Sequence, residues 1–111
     1  MPDYTTIGRA VMFILKRKIF GKAVKLACEA FNLQEGQLYH SRTLIAVEAR
    51  YCVLWALSVY LSDQELATMF DKTRQAINHL KNNRGLDTPM NRFAIKQITS
   101  KLRANNNLGD K

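Results

Sequence analysis

The chain has 111 residues, a formal net charge of +8 and a pI near 9.8, which suits one domain with a single modest core and leaves no room for an enzyme built from several lobes. A basic excess of that size on a small chain favours a polyanionic partner, nucleic acid before an acidic membrane. The two cysteines, Cys28 and Cys52, sit in apolar helical contexts and argue against a disulfide framework, while His40 and His79 lie far apart with no CxxC or Cys/His cluster, so neither a metal site nor a cofactor is expected.

Residues 1–6 make a short polar start. Ile7, Val11, Ile14, Leu15 and Ile19 then recur at helical spacing and predict a basic amphipathic helix, occupying 1–21 and ending near Gly21 because glycine interrupts helices. Residues 9–25 hold six bases (Arg9, Lys16, Arg17, Lys18, Lys22 and Lys25) and no acid. Such a helix can lie on a membrane or dock on a partner, but covering a core is the preferred reading. The apolar run 10–15 is too short to span a bilayer and leads into Lys16, Arg17 and Lys18 with no cleavage-like segment, so a reduced cytoplasmic protein with no membrane partner is expected.

Residues 22–31 predict a second helix with Val24, Ala27, Cys28 and Phe31 on one side and a stop at Asn32. Residues 33–40 read as a single turn carrying Leu33 and Leu38 into the core. A third helix, from about 43 to 61, is the hydrophobic centre, since 51–61 contains no charge and a helix apolar on every side has to be surrounded. Tyr51, Leu54, Trp55 and Leu57 are expected to bury most of its area, each contributing about 1.5–3 kcal/mol when fully removed from water. His40, Ser41 and Arg42 before this helix, and Arg50 on it, lie outside the apolar part and are expected to face a phosphate backbone.

The stretch 62–81, SDQELATMFDKTRQAINHLK, predicts a helix-turn-helix. Ser62 and Glu65 form a capping box at the start of the first helix, and Leu66, Ala67 and Phe70 give it one apolar face. Asp71 and Lys72 break the pattern; Thr73 caps a second helix with Ile77 and Leu80 on its buried side. The opening of that second helix exposes Arg74 and Gln75, whose hydrogen-bonding groups match guanine and adenine edges in the major groove. The bland alternative is a helical hairpin with a solvated polar face. Against it, Lys72, Arg74, Lys81, Arg84, Arg92, Lys96, Lys101 and Arg103 stand opposite the single acid Asp87 between 72 and 103, and a merely solvated face usually mixes signs. After a loop, Thr88 and Pro89 open a last helix with Phe93, Ile95, Ile98 and Leu102 inward, and 104–111 read as a disordered tail.

The run AVKLACEAFNLQEGQLYHSRTLIAVEARYCVLWALSVYLSDQELATMFDKTRQAINHLKNN resembles the C-terminal DNA-binding domain of the bacterial replication initiator DnaA. The likeness covers about 22–103, as one domain. It rests on Phe31-Asn32, the Ser41-Arg42 approach, Val47-Glu48-Ala49-Arg50 opening a long apolar helix, a short helix ending at Phe70 and a reading helix reaching His79. It implies an all-α domain of about five to six helices, of the Trp-repressor-like type, with Arg42 in a minor groove and Arg50 on the phosphate backbone, roles to which a guanidinium is suited. Where that family opens its reading helix with an Asp-His-Thr-Thr-like tetrad, this chain has Thr73, Arg74, Gln75 and Ala76, so a different target sequence is expected. No Walker motif is present, so the initiator's ATPase is missing.

The expected function is therefore sequence-specific binding of double-stranded DNA by a small regulator or replication accessory factor. Arg74 and Gln75 read bases, Arg42 enters a minor groove, and Arg50, Lys72, Thr73, Lys81, Asn78 and His79 supply further contacts, chiefly to phosphates. The competing reading is a non-enzymatic interaction module that keeps the fold without reading DNA. An enzyme is disfavoured: beside Asn78 and His79 there is no carboxylate pair, no nucleophile with an adjacent base and no phosphate-cradling loop.

Overall fold

The chain opens with a helix of 28 residues, α1 (Tyr4–Phe31), which passes straight through Gly21. A glycine inside a helix costs roughly 1 kcal/mol, and the burial of Ile19, Phe20, Ala23 and Val24 on either side of it outweighs that. The expected break at 21, and with it a boundary between an N-terminal helix and a following domain, is therefore absent: one helix feeds one core across that point. The structure is a computed structural model that describes residues 4–106. The start at 1–3, the tail at 107–111 and the side chain of Ile7 lie outside the described residues, while Ala104 continues the last helix.

After α1 come α2 (Glu35–His40), α3 (Leu44–Leu57), α4 (Asp63–Phe70), α5 (Arg74–Lys81), a 3-10 turn (Arg84–Leu86) and α6 (Pro89–Asn106). The described residues thus form an all-α domain of six α-helices. Two of the turns use the same device. Asn32 and Asp71 take the left-handed conformation (φ 55° and 56°), which short polar side chains tolerate better than others. Leu33 N–H then reaches back to the Cys28 carbonyl and Lys72 N–H to the Ala67 carbonyl, each at 2.9 Å. Those bonds satisfy carbonyls that the helix end would leave orphaned.

The core is built on α3, which packs against α1, α6, α2 and α5, while α4 and α5 pack on each other. Ala49, Cys52, Val53, Leu54 and Leu57 on α3, with Leu38, Leu66, Ile77, Ile98 and Leu102 from the other helices, are almost wholly excluded from water. Four expectations change. The third helix stops at Leu57, where Ser58 turns its hydroxyl back onto the Trp55 carbonyl at 2.8 Å. Trp55 is 38% exposed, because at the C-terminal end of α3 it is covered only in part, by Tyr51 and Lys81. Phe93 is 63% exposed; the inward position near the start of α6 belongs instead to Asn91, whose amide donates to the Leu86 carbonyl at 2.9 Å and to Glu48 at 3.3 Å. Val11 and Ile14, expected to cover core, are half exposed, because the first turns of α1 reach past the other helices.

Candidate nucleic-acid interface

Local chemistry sets the geometry of α4 and α5. Ser62 Oγ accepts from Glu65 N–H at 3.1 Å while Glu65 Oε1 accepts from Ser62 N–H at 2.9 Å, the reciprocal pattern expected from the sequence. Thr73 Oγ1 accepts from Ala76 N–H at 3.1 Å and starts α5. Its hydroxyl proton stays available to an acceptor outside the chain. Leu66, Ala67 and Phe70 fix α4 to the core, and Ile77, with half-buried Leu80, fixes α5. At 100° per residue, Gln75 and His79 then lie opposite Ile77, with Arg74 and Asn78 along one flank.

Lys72, Thr73, Arg74, Gln75, Asn78 and His79 are all exposed, and the first turn of α5 contains no acid. Asn78 is engaged within its own helix, its backbone carbonyl accepting from the Asn82 amide at 2.9 Å and its side-chain carbonyl at 3.4 Å. Among the described residues, the side chains of Lys72, Arg74, Gln75 and His79 make no intramolecular hydrogen bond or ion pair. Arg42 is likewise exposed. It sits on a three-residue link between α2 and α3 that is braced by Ser41 Oγ and Thr43 Oγ1 at 3.0 Å, with Thr43 capping α3.

Two of the residues expected at the interface are elsewhere. Arg50 is only 9% exposed. Its Nη1 donates to the Leu38 carbonyl at 2.6 Å, one of the last α2 carbonyls with no partner inside that helix. Burial lowers its pKa from the ordinary value. The phosphate role expected of an outward-facing Arg50 is thereby corrected to a tie between α2 and α3, just ahead of Arg42. Lys81 is corrected too: its ammonium pairs with Asp63 at 2.9 Å and lies 5.0 Å from the centre of the Trp55 ring, while Trp55 Nε1–H donates to the Lys81 carbonyl at 3.2 Å. An acid in the first turn of α4 and a cation in the last turn of α5 each suit the local helix dipole, so the pair holds the two helices at a fixed angle.

Arg84, at the start of the 3-10 turn that follows α5, is exposed and its side chain has no partner among the described residues. No motif marks it; its place in the basic stretch 72–103 is its one signal in the sequence. Asp63 and Trp55, the anchors of Lys81, gave none, because a contact across 18 or 26 positions leaves no local pattern.

Taken together, these features define a small all-α domain that displays a short, polar-tipped helix lacking acids at its exposed start. Comparison with protein-family models, curated proteins and solved structures gave no match for this chain. Among the described residues, no helix is long and apolar enough to cross a membrane.

Proposed function

We propose that the chain binds double-stranded DNA sequence-specifically, with α4 and α5 acting as a helix-turn-helix and α5 entering the major groove. The observation that carries this reading is the unoccupied start of α5. Arg74 and Gln75 are exposed, free of intramolecular partners and mounted on a helix whose other face is locked into the core. The backbone beneath them is already fixed, so only the side-chain rotamers remain to be ordered against a base. Arg74 reads a guanine edge and Gln75 an adenine edge. Lys72, Thr73, His79 and Arg84 hold phosphates, Arg42 enters a flanking minor groove, and Asn78 borders the bases.

The likeness to the DnaA C-terminal domain supports the same reading, and it extends to a role as a regulator or replication accessory factor in a bacterial cytoplasm. The replaced tetrad at 73–76 makes the target different from that family's usual origin box. Selection of bound sites from a random duplex pool tests the proposal: one motif is enriched, and Arg74→Ala weakens binding to it by about 1–3 kcal/mol, roughly fivefold to 150-fold, with selectivity relaxed at one position. Unenriched pools, or unchanged selectivity in the variant, overturn it. The interaction-module reading is favoured by a different observation, the exposed apolar start of α1. It predicts no shift of random duplex even at low salt.

A further inference from the structure

Four consecutive residues of α1, Val11, Met12, Phe13 and Ile14, are exposed at 50, 51, 56 and 55%. Successive residues of a helix point 100° apart, so together they make every side of this part of the rod apolar. A helix that rests on a membrane surface concentrates its apolar residues on one face and its cations on the other. Here Lys16 falls within 40° of Met12, and Arg17 within 40° of Phe13, so no such division exists. A cover with relief of its own is needed, and that is what another folded protein supplies.

The same segment contains both halves of a contact. Gly8, Arg9, Met12 and Phe13, with Lys16 and Glu65, line a notch between the start of α1 and the start of α4. Met12 and Phe13 therefore belong at once to the protruding tip and to the notch beside it, which is the condition for a two-fold contact in which one patch meets itself. One complementary charge pair is available across such a contact as well. Arg9 is exposed and has no intramolecular partner among the described residues, whereas the notch carries a carboxylate, Glu65, bound to Lys16 at 2.6 Å. A carboxylate has about four acceptor sites, so Glu65 has capacity for a second cation.

We propose that the tip of α1 is the contact surface between two copies of this chain, each tip seated in the notch of the other with Arg9 over Glu65. Half-exposed side chains of this size leave on the order of 400 Å² per copy, at most about 800 Å² for the pair, since a partner covers only part of the rod. The stems of Arg9 and Lys16 bring that towards the roughly 1,200 Å² at the lower end of specific interfaces. The dimer is accordingly a weak one, with a dissociation constant of about micromolar order or above.

Analytical ultracentrifugation of the full chain without DNA tests this apart from the DNA reading. The weight-average mass rises from 12.7 kDa towards twice that value as the concentration goes from about 1 to 500 µM. Met12→Glu with Phe13→Glu holds the mass at the monomer value with the helical circular dichroism unchanged, and Arg9→Glu weakens association at least tenfold. Val59→Glu, at another exposed apolar residue, leaves association as it was. If the double variant loses helix, Phe13→Ala, which keeps helix propensity, carries the comparison. A chain that stays monomeric throughout, or a double variant that still dimerises, overturns the proposal. So does a monomer that binds phosphatidylglycerol vesicles through Phe13, which would make lipid the occupant.

Discussion

Cys52 and Cys28 show how far a single residue's chemistry is set by its surroundings. Cys52 is wholly buried, its Sγ–H donating to the Asn91 carbonyl at 3.6 Å, and burial pushes its pKa up to about 12. At pH 8 only about one molecule in ten thousand then carries the reactive thiolate. Cys28 is half buried, and its pKa is also raised by burial. Iodoacetamide at pH 8 should therefore label Cys28 first, and Cys52 only across the unfolding transition, with mass spectrometry resolving the single adduct from the double one. Equal rates in the native protein would contradict the packing of α3 against α6. That Cys52 is a buried thiol was legible from its apolar neighbours in sequence; that Cys28 is only half buried was not, since its neighbours are as apolar. The position of Arg50 was not: its helical phase says which side of α3 it occupies, but nothing local says that an orphan carbonyl of α2 waits there. Phe93 errs in the opposite sense, since the inward phase of α6 is set by the hydrogen bonds of Asn91, a residue whose type points outward.

At the scale of elements, α5 matters through its stance. Lys81 joins its end to Asp63 of α4 and to Trp55 of α3, a partly buried ion pair with a cation–π contact, together of the order of 1–2 kcal/mol. Lys81→Met keeps the stem but removes the charge. The variant should shift the emission of Trp55, the one tryptophan in the chain, and lower the ratio of specific to random DNA binding while leaving the salt slope unchanged. A slope reduced by about one unit would instead mean that Lys81 contacts a phosphate. A second tie joins α1 to α4. The Lys16 ammonium on Glu65, helped by the Ser62 amide of the capping box, holds the Glu65 pKa below the ordinary carboxylate value. Since the folded state favours the ionised form, this contribution is present above the unfolded pKa and is lost as pH falls through the folded one. Glu65→Gln should therefore lower the melting temperature at pH 7 and flatten its fall under acid, with the two curves converging once the pH has fallen through the depressed folded-state pKa; parallel curves would rule the tie out. Helix starts at Ser62, Thr73 and Thr88 were readable because a cap is a local bargain between neighbours in sequence. The ties were not, because each joins helices that sequence alone does not bring together.

For the whole molecule, the alternation of apolar periods and caps announced an all-helical chain, and the uncharged stretch 51–61 announced its centre; what the pattern could not supply was how completely that centre is covered. The same holds for charge. A net charge of +8 describes the chain, whereas DNA meets only the cations on one face. Lys16, Lys81 and Arg92 are in ion pairs, and Arg50 is inside. Around the proposed reading helix the cations left without an intramolecular partner, among the described residues, are Arg42, Lys72, Arg74 and Arg84. Arg74 spends its charge on a base edge; Lys72 and Arg84 on phosphates, with Arg42 lying between the phosphates that flank its minor groove, displace about three counterions, each contributing about 0.9 to the dependence of log K on log salt. Fluorescence titrations of one duplex between about 50 and 200 mM salt should therefore give a slope near −3. A slope near −7 would mean that the bases of α1 and α6 also touch the duplex, which would place the DNA along the long faces of the domain and leave α5 without its proposed role as the point of entry.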